Sequence, residues 1–210
     1  MYHYLIKLQE KLAKRIIIQT YNKNIQHVAG IDVAFLGDFA FASICVLNKD
    51  LKITEIVTSK KLVTFPYIPG LLSFREMPAI FEAYKKLKTT VDLFIIDGQG
   101  IAHPRDIGIA SHMGVIFNVA TIGCAKSKLS GIFIDPNKTK NSYSPLYVKN
   151  KIAGVVFRSR ENVKPIFISP GNLTDVESSV NIVKLYITRY RLPEPTRYAH
   201  IYANKAKKNL

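Results

Sequence analysis

"HVAGIDVAFLGDFAFASICVLNKDLKITEIVTSKKLV", residues 27–63, decides the fold. Its apolar residues fall into three runs rich in β-branched and aromatic side chains. Two groups of turn-forming residues separate them, Gly37-Asp38 and Asn48-Lys49-Asp50. This spacing predicts three successive strands, 27–37, 39–48 and 51–63, joined by tight turns. Further along, "VDLFIIDGQG" (91–100) is a short apolar strand of the kind buried on both faces. Before the strands, "YLIKLQEKLAKRIII" (4–18) spaces its apolar residues as an amphipathic helix with lysines opposite. "SFREMPAIFEAYKKLK" (73–88) predicts a second helix, and Gly108–Asn118 a third. There follow a strand "TIGCAKS" (121–127), a strand pair around "AGVVFRS" (153–159) and "PIFISPG" (165–171), and a helix "DVESSVNIVKLYITRY" (175–190). A basic tail ends the chain. Three strands and then alternating helix and strand predict an α/β fold, a central mixed sheet flanked by helices, in one domain over 1–210.

Composition narrows the function. Thirty Lys+Arg against 15 Asp+Glu give a net charge of +15, which points to a polyanionic partner, nucleic acid first. A membrane surface is the weaker choice, because the longest apolar runs are only strand-length and no signal peptide or spanning segment is visible. Cys45 and Cys124 are too few for a disulfide framework and lack zinc-site spacing. A reducing, cytoplasmic location is expected.

Asp32 lies inside an apolar strand and Asp97 ends another. A buried carboxylate without a partner is costly, so each needs one. A turn or capping role is the plainer reading for a single aspartate. If the two strands are neighbours, however, both carboxylates converge, and they repel unless a cation sits between them. Oxygen ligands without thiolates favour Mg²⁺ or Mn²⁺. Glu76 has two readings, since Ser73 and Glu76 have capping-box spacing. Lys126 and Lys128 read either as solvated edge lysines or as phosphate contacts. His112 reads as a packed or capping residue. "FPYIPGLLSFRE" (65–76) is a stiff apolar loop: Pro66 and Pro69 fix their own φ angles, Gly70 allows the turn, and Tyr67 and Ile68 stand between them.

The segments "GIDVAF", "PYIPGLLSFRE", "DGQGIAHPRDIGIASHMG", "GCAKSKL" and "YRLPEPTRYAHIY" resemble the endonuclease V family over about residues 28–203. The resemblance implies a ribonuclease H-like fold and Mg²⁺-dependent cleavage at the second phosphodiester bond 3′ to deoxyinosine, leaving 5′-phosphate ends. By motif, Asp32 and Asp97 resemble the metal-binding carboxylates, Glu76 the third acidic residue, His200 the group completing the site and Lys126 its lysine. Tyr67, with Pro66, Ile68 and Pro69, resembles the wedge that enters the duplex. Gly70, Leu72, Gly98, His103, Gly108, Ile109 and Ala125 fall where the base pocket is expected. A monomer acting on deoxyinosine DNA is expected, with inosine-containing RNA as the alternative substrate. One departure is "SPGN", which puts Asn172 where the family commonly has histidine and calls a local hydrogen bond into question.

A flipped base costs a few kcal/mol to unstack, and a stiff apolar loop can fill the gap it leaves. Hypoxanthine differs from guanine by lacking the 2-amino group, so a tight backbone-lined pocket would discriminate by sterics. The rival readings are a non-catalytic nucleic-acid-binding module and a nuclease for RNA–DNA hybrids. The three acidic residues argue against the first and the "PYIP" loop against the second.

Overall fold

The structure is a computed structural model that describes residues 2–208. The elements run α1 (His3–Ala13), β1 (His27–Leu36), β2 (Phe39–Asn48), β3 (Ile53–Leu62), α2 (Leu72–Tyr84), β4 (Leu93–Ile96) and α3 (Ile109–Phe117). There follow β5 (Thr121–Ala125), β6 (Tyr143–Val148), β7 (Lys151–Phe157), β8 (Ile166–Asn172), α4 (Val176–Leu185) and α5 (Glu194–Lys208). All eight strands form one mixed sheet in the order β3-β2-β1-β4-β5-β8-β7-β6. β1, β2 and β3 pair antiparallel, as their tight turns require. β4 and β5 then add in parallel beside β1.

The two-residue period of the strands sorts their side chains between two cores. Val28, Leu93, Ile95 and Ile122 join the core beneath α4 and α5. Ala29, Ile31, Phe94 and Ile96 join the opposite core with Ala79, Ile80 and Ala83 of α2 and Met113 of α3. Gly30 shares the α5 face, and a Cβ there would lie 1.9 Å from the Pro195 carbonyl oxygen. Only glycine lets α5 approach β1 so closely. The same face continues to Asp32, two residues on. Among the described residues, no helix is long and apolar enough to cross a membrane.

Several expectations are corrected. The first helix stops at Ala13, not at residue 18. β-Branched Ile16, Ile17 and Ile18 disfavour its continuation, and Ile17 bonds the end of β8 instead, accepting from Leu173 N at 2.7 Å. Ser73 does not cap α2: the helix begins at Leu72, and the Ser73 hydroxyl pairs with His112 Nδ1 at 2.9 Å. β6 was not expected; its Pro145 is tolerated on this edge strand, which pairs with β7 and, through one isolated bridge, Tyr147 with Ile132. The fourth helix ends at Leu185 rather than 190. The supposed basic tail is α5, whose buried Ala199 and Ala203 pack on β1 and β2. Prolines at its start are compatible with a first helical turn.

Candidate active site

Asp97 follows the carboxyl end of β4 and Lys126 that of β5, at the edge where open sheets place their ligands. Parallel pairing sets Ile31 opposite Ile96, so Asp32 and Asp97 come next on adjacent strands. α5 crosses the same face and brings in His200, whose Nδ1 lies 2.6 Å from Asp32 Oδ2. One ligand atom from each of Asp32, Asp97 and His200 falls within 4.8 Å of the others. Lys126 forms an ion pair with Asp97. The Lys126 carbonyl is in turn fixed by Arg191 Nη2 at 2.6 Å. On the other side of His200, Asn204 Nδ2 lies 3.3 Å from Nε2 and donates to the His200 carbonyl at 2.9 Å.

The site holds more negative charge than its side chains neutralise. Burial, then repulsion from Asp97, pushes the Asp32 carboxyl up to about 6, against the opposing pull of Lys126 and His200. Glu76, only 9% exposed, is pushed up to about 8 by burial and by the charges of Asp32 and Asp97. Burial alone would lower the Lys126 ammonium, yet the Asp97 charge and hydrogen bond hold it above its ordinary value. Carboxylates that oppose each other's ionisation, with an oxygen-rich donor set and one imidazole, fit a hard divalent cation.

This arrangement predicts how the metal-free protein responds to pH. A carboxyl whose pKa is raised on folding supports the fold while protonated, and that support fades as pH rises through the folded value. His103 and His112 are lowered to about 4 by burial, so both are neutral in the fold, and above pH ~7 only the tail of their unfolded titration near pH ~6.5 remains in the balance. Between pH ~7 and ~8 in chelator, the protein is expected to lose about 1 kcal/mol of stability, mainly through Glu76. Urea unfolding of wild type against Glu76→Gln checks this, and the variant should show a nearly flat profile over that window.

Next to the acidic cluster lies a cavity of about 360 Å³. Gly70, Leu72, Gly98, His103, Gly108, Ile109 and Ala125 all line it, together with Asp97, Lys126 and Lys128. Tyr67 stands at its rim and is 65% exposed; Pro66, Ile68 and Pro69 are not among the lining residues. The backbone lies close here: a Cβ on Gly108 would meet the Gln99 carbonyl at 2.2 Å, and one on Gly98 the Ile109 side chain at 2.4 Å. Both ring nitrogens of His103 are engaged, Nδ1 with Arg105 N at 3.1 Å and Nε2 with the Gly70 carbonyl at 3.0 Å, so His103 builds the wall. Gln9, Gln99 and Ser127 also line the cavity and were not foreseen. For Gln9 a signal existed: it interrupts the apolar stripe of Leu5, Leu8 and Leu12 on α1.

His112 is buried and pairs with Ser73, a packed role as read from sequence. Asn172 answers the "SPGN" departure: its Nδ2 donates to the Gly114 and Val119 carbonyls at 3.1 and 3.3 Å, and its Oδ1 accepts from Ile17 N at 3.0 Å. The amide is fully used.

An acidic cluster at the end of a mixed sheet, on a strongly basic protein and beside a cavity, is the kind of centre that nucleases carry. Similar proteins give the same answer. The sequence model of the family described as Endonuclease V matches residues 10–201, beginning one residue beyond Gln9. The chain belongs to the endonuclease V family and is a nuclease, a hydrolase acting on nucleic acid. It is 47% identical to Endonuclease V of Thermosipho melanesiensis over 203 residues, 97% of this chain and 90% of the relative. Among solved structures, Endonuclease V from Bacillus subtilis superposes with a TM-score of 0.93 at 32% identity, covering 100% of this chain and 95% of that one. Endonuclease V of Ciona intestinalis, solved with a 24mer DNA containing an inosine followed by a ribo-adenosine, gives 0.85 at 27% identity, covering 98% and 97%.

Proposed function

We propose that this single-domain protein is a DNA repair endonuclease that recognises deoxyinosine and hydrolyses the second phosphodiester bond on its 3′ side, with Mg²⁺ or Mn²⁺. One observation carries the reading: the Asp32–Asp97–His200 cluster shares Asp97 with the lining of a cavity that has Tyr67 at its rim. Asp32, Asp97 and His200 would hold the ion, which when bound supplies Lewis-acid stabilisation of the phosphate and lowers the pKa of a water. Glu76, raised by burial and by the charges of Asp32 and Asp97, would ionise more readily once a cation offsets those charges and would then add a third carboxylate beside the ion. Lys126 keeps its charge beside the site and offers it to the scissile phosphate. Tyr67 fills the space the base leaves, and Gly98, Gly108 and Ala125 leave no room for a 2-amino group on the flipped base.

Matched oligomers carrying inosine or guanosine at one position test the reading. Cleavage of the inosine strand in Mg²⁺, abolished by EDTA, is expected; equal cleavage of both strands would refute the pocket assignment.

The charge of +15 has its own consequence. Binding to duplex should weaken with salt, with a log–log slope of roughly −0.9 per neutralised phosphate. Lys126→Ala should lower the single-turnover rate much more than it flattens that slope, because its ammonium sits on Asp97 rather than on the outer surface. A slope near zero would assign the basic surface to another partner.

A further inference from the structure

The loop 65–70 is held at both ends by the N-terminal segment, at one by Gln9 of α1 and at the other by Tyr2, the residue that flanks the start of that helix. Gln9 is 1% exposed, and its Nε2 donates to the Gly70 carbonyl at 3.0 Å across 61 residues of chain. The same carbonyl accepts from Arg105 Nη2 at 2.6 Å and from His103 Nε2 at 3.0 Å. Because Arg105 N donates to His103 Nδ1, the ring proton lies on Nε2 and faces that carbonyl. Arg105 Nε also donates to Gln9 Oε1 at 2.6 Å, so both ends of the Gln9 amide are engaged. At the other end of the loop, Tyr2 packs edge-on against Phe65 with ring centroids 5.4 Å apart. The Phe65 carbonyl accepts from Arg75 Nη1 at 2.6 Å.

A carbonyl oxygen has two lone pairs, yet three donors, one of them charged, converge on Gly70. The prolines stiffen the loop's interior, but a stiff loop still swings at its ends. Gly70, at φ +79°, is the pivot. Fixing it before nucleic acid arrives removes an ordering cost that binding would otherwise carry.

We propose that α1 is the positioning element of the loop 65–70, with Gln9 and Tyr2 as positioning residues that set how Tyr67 meets nucleic acid. This rests on the reading of Tyr67 as a wedge. It also gives α1, read from sequence only as an amphipathic helix, a part in substrate engagement without any contact to the reacting phosphate.

Gln9→Glu keeps an acceptor for Arg105 but loses the donor to Gly70; Tyr2→Ala loosens the opposite end and, being half-buried, threatens folding less. Peptide-resolved hydrogen exchange on the free protein reads the loop directly. Exchange over 65–72 should quicken by about fivefold to tenfold in Gln9→Glu, the scale of one net hydrogen bond. The central strands should stay unchanged. Single-turnover cleavage of an inosine duplex should fall by a similar factor, and of an inosine single strand by clearly less. Unchanged loop exchange in both variants overturns the proposal. So does a loosened loop with equal losses on duplex and single strand, or faster exchange throughout the protein, either of which marks α1 as merely structural. Should wild type cut no inosine substrate, the functional reading fails, and the exchange data alone still decide whether α1 holds the loop.

Discussion

Asp97→Asn is expected to lower the single-turnover rate on an inosine oligomer by about a hundredfold or more, the scale on which one principal electrostatic stabiliser acts. The amide keeps the shape of the side chain and removes its charge. Three effects follow from the geometry. A ligand of the three-residue cluster loses its anionic oxygen. Lys126 loses its ion-pair partner. Asp32, whose raised pKa owes most to burial and next to Asp97, moves down and ionises more readily. The last change partly restores charge but not the ligand count, so metal affinity should fall as well, which calorimetric titration with Mn²⁺ would show. Binding of an inosine oligomer in Ca²⁺ should largely survive, since the amide keeps the shape of Asp97 in the cavity wall and Tyr67 is untouched. A variant that cleaves at the wild-type rate would remove Asp97 from the metal site.

Tyr67→Ala should act on a different step. The carboxylates, Lys126 and the basic surface remain, and Pro66 and Pro69 keep the loop's path. What goes is an exposed aromatic ring at the cavity rim, able to stack where a base pair has been opened. Base–aromatic stacking is worth roughly 1–3 kcal/mol, so affinity for an inosine duplex should drop by about fivefold to a hundredfold. A single strand has no partner stack to hold apart, and its penalty should be smaller. Single-turnover cleavage and binding on both substrates separate the outcomes. Equal losses would show that Tyr67 separates no strands, and no loss would leave "PYIP" a structural turn.

Much of this was legible in the sequence, and the reasons are specific. Three strands with tight turns leave few choices of pairing. Once β4 lies beside β1, the two-residue period carries Asp32 and Asp97 to the same face and the same end. α5 was hidden because its buried face rests on small alanines between basic and aromatic residues, and that composition resembles a solvated tail. β6 was hidden by Pro145, a poor strand former that an edge position tolerates. Capping-box spacing misled at Ser73, whose buried hydroxyl found His112; at Glu76 it left two readings open, and the Asp32 and Asp97 charges that add to burial in raising its pKa put it beside the acidic cluster. Gln9 was overlooked because its partner carbonyl, at Gly70, is distant in sequence and nearby only in the fold.

The most direct measurement of the central claim maps the cut on matched DNA and RNA oligomers, each with one inosine, incubated with the protein and Mg²⁺. A single product ending at the second phosphodiester bond 3′ to inosine, with a 5′-phosphate on the downstream fragment, is the expected result on DNA; RNA cut at the same place would extend the substrate to inosine in RNA. Cleavage unrelated to the position of inosine, or none in either strand with Mg²⁺ or Mn²⁺, would contradict the account.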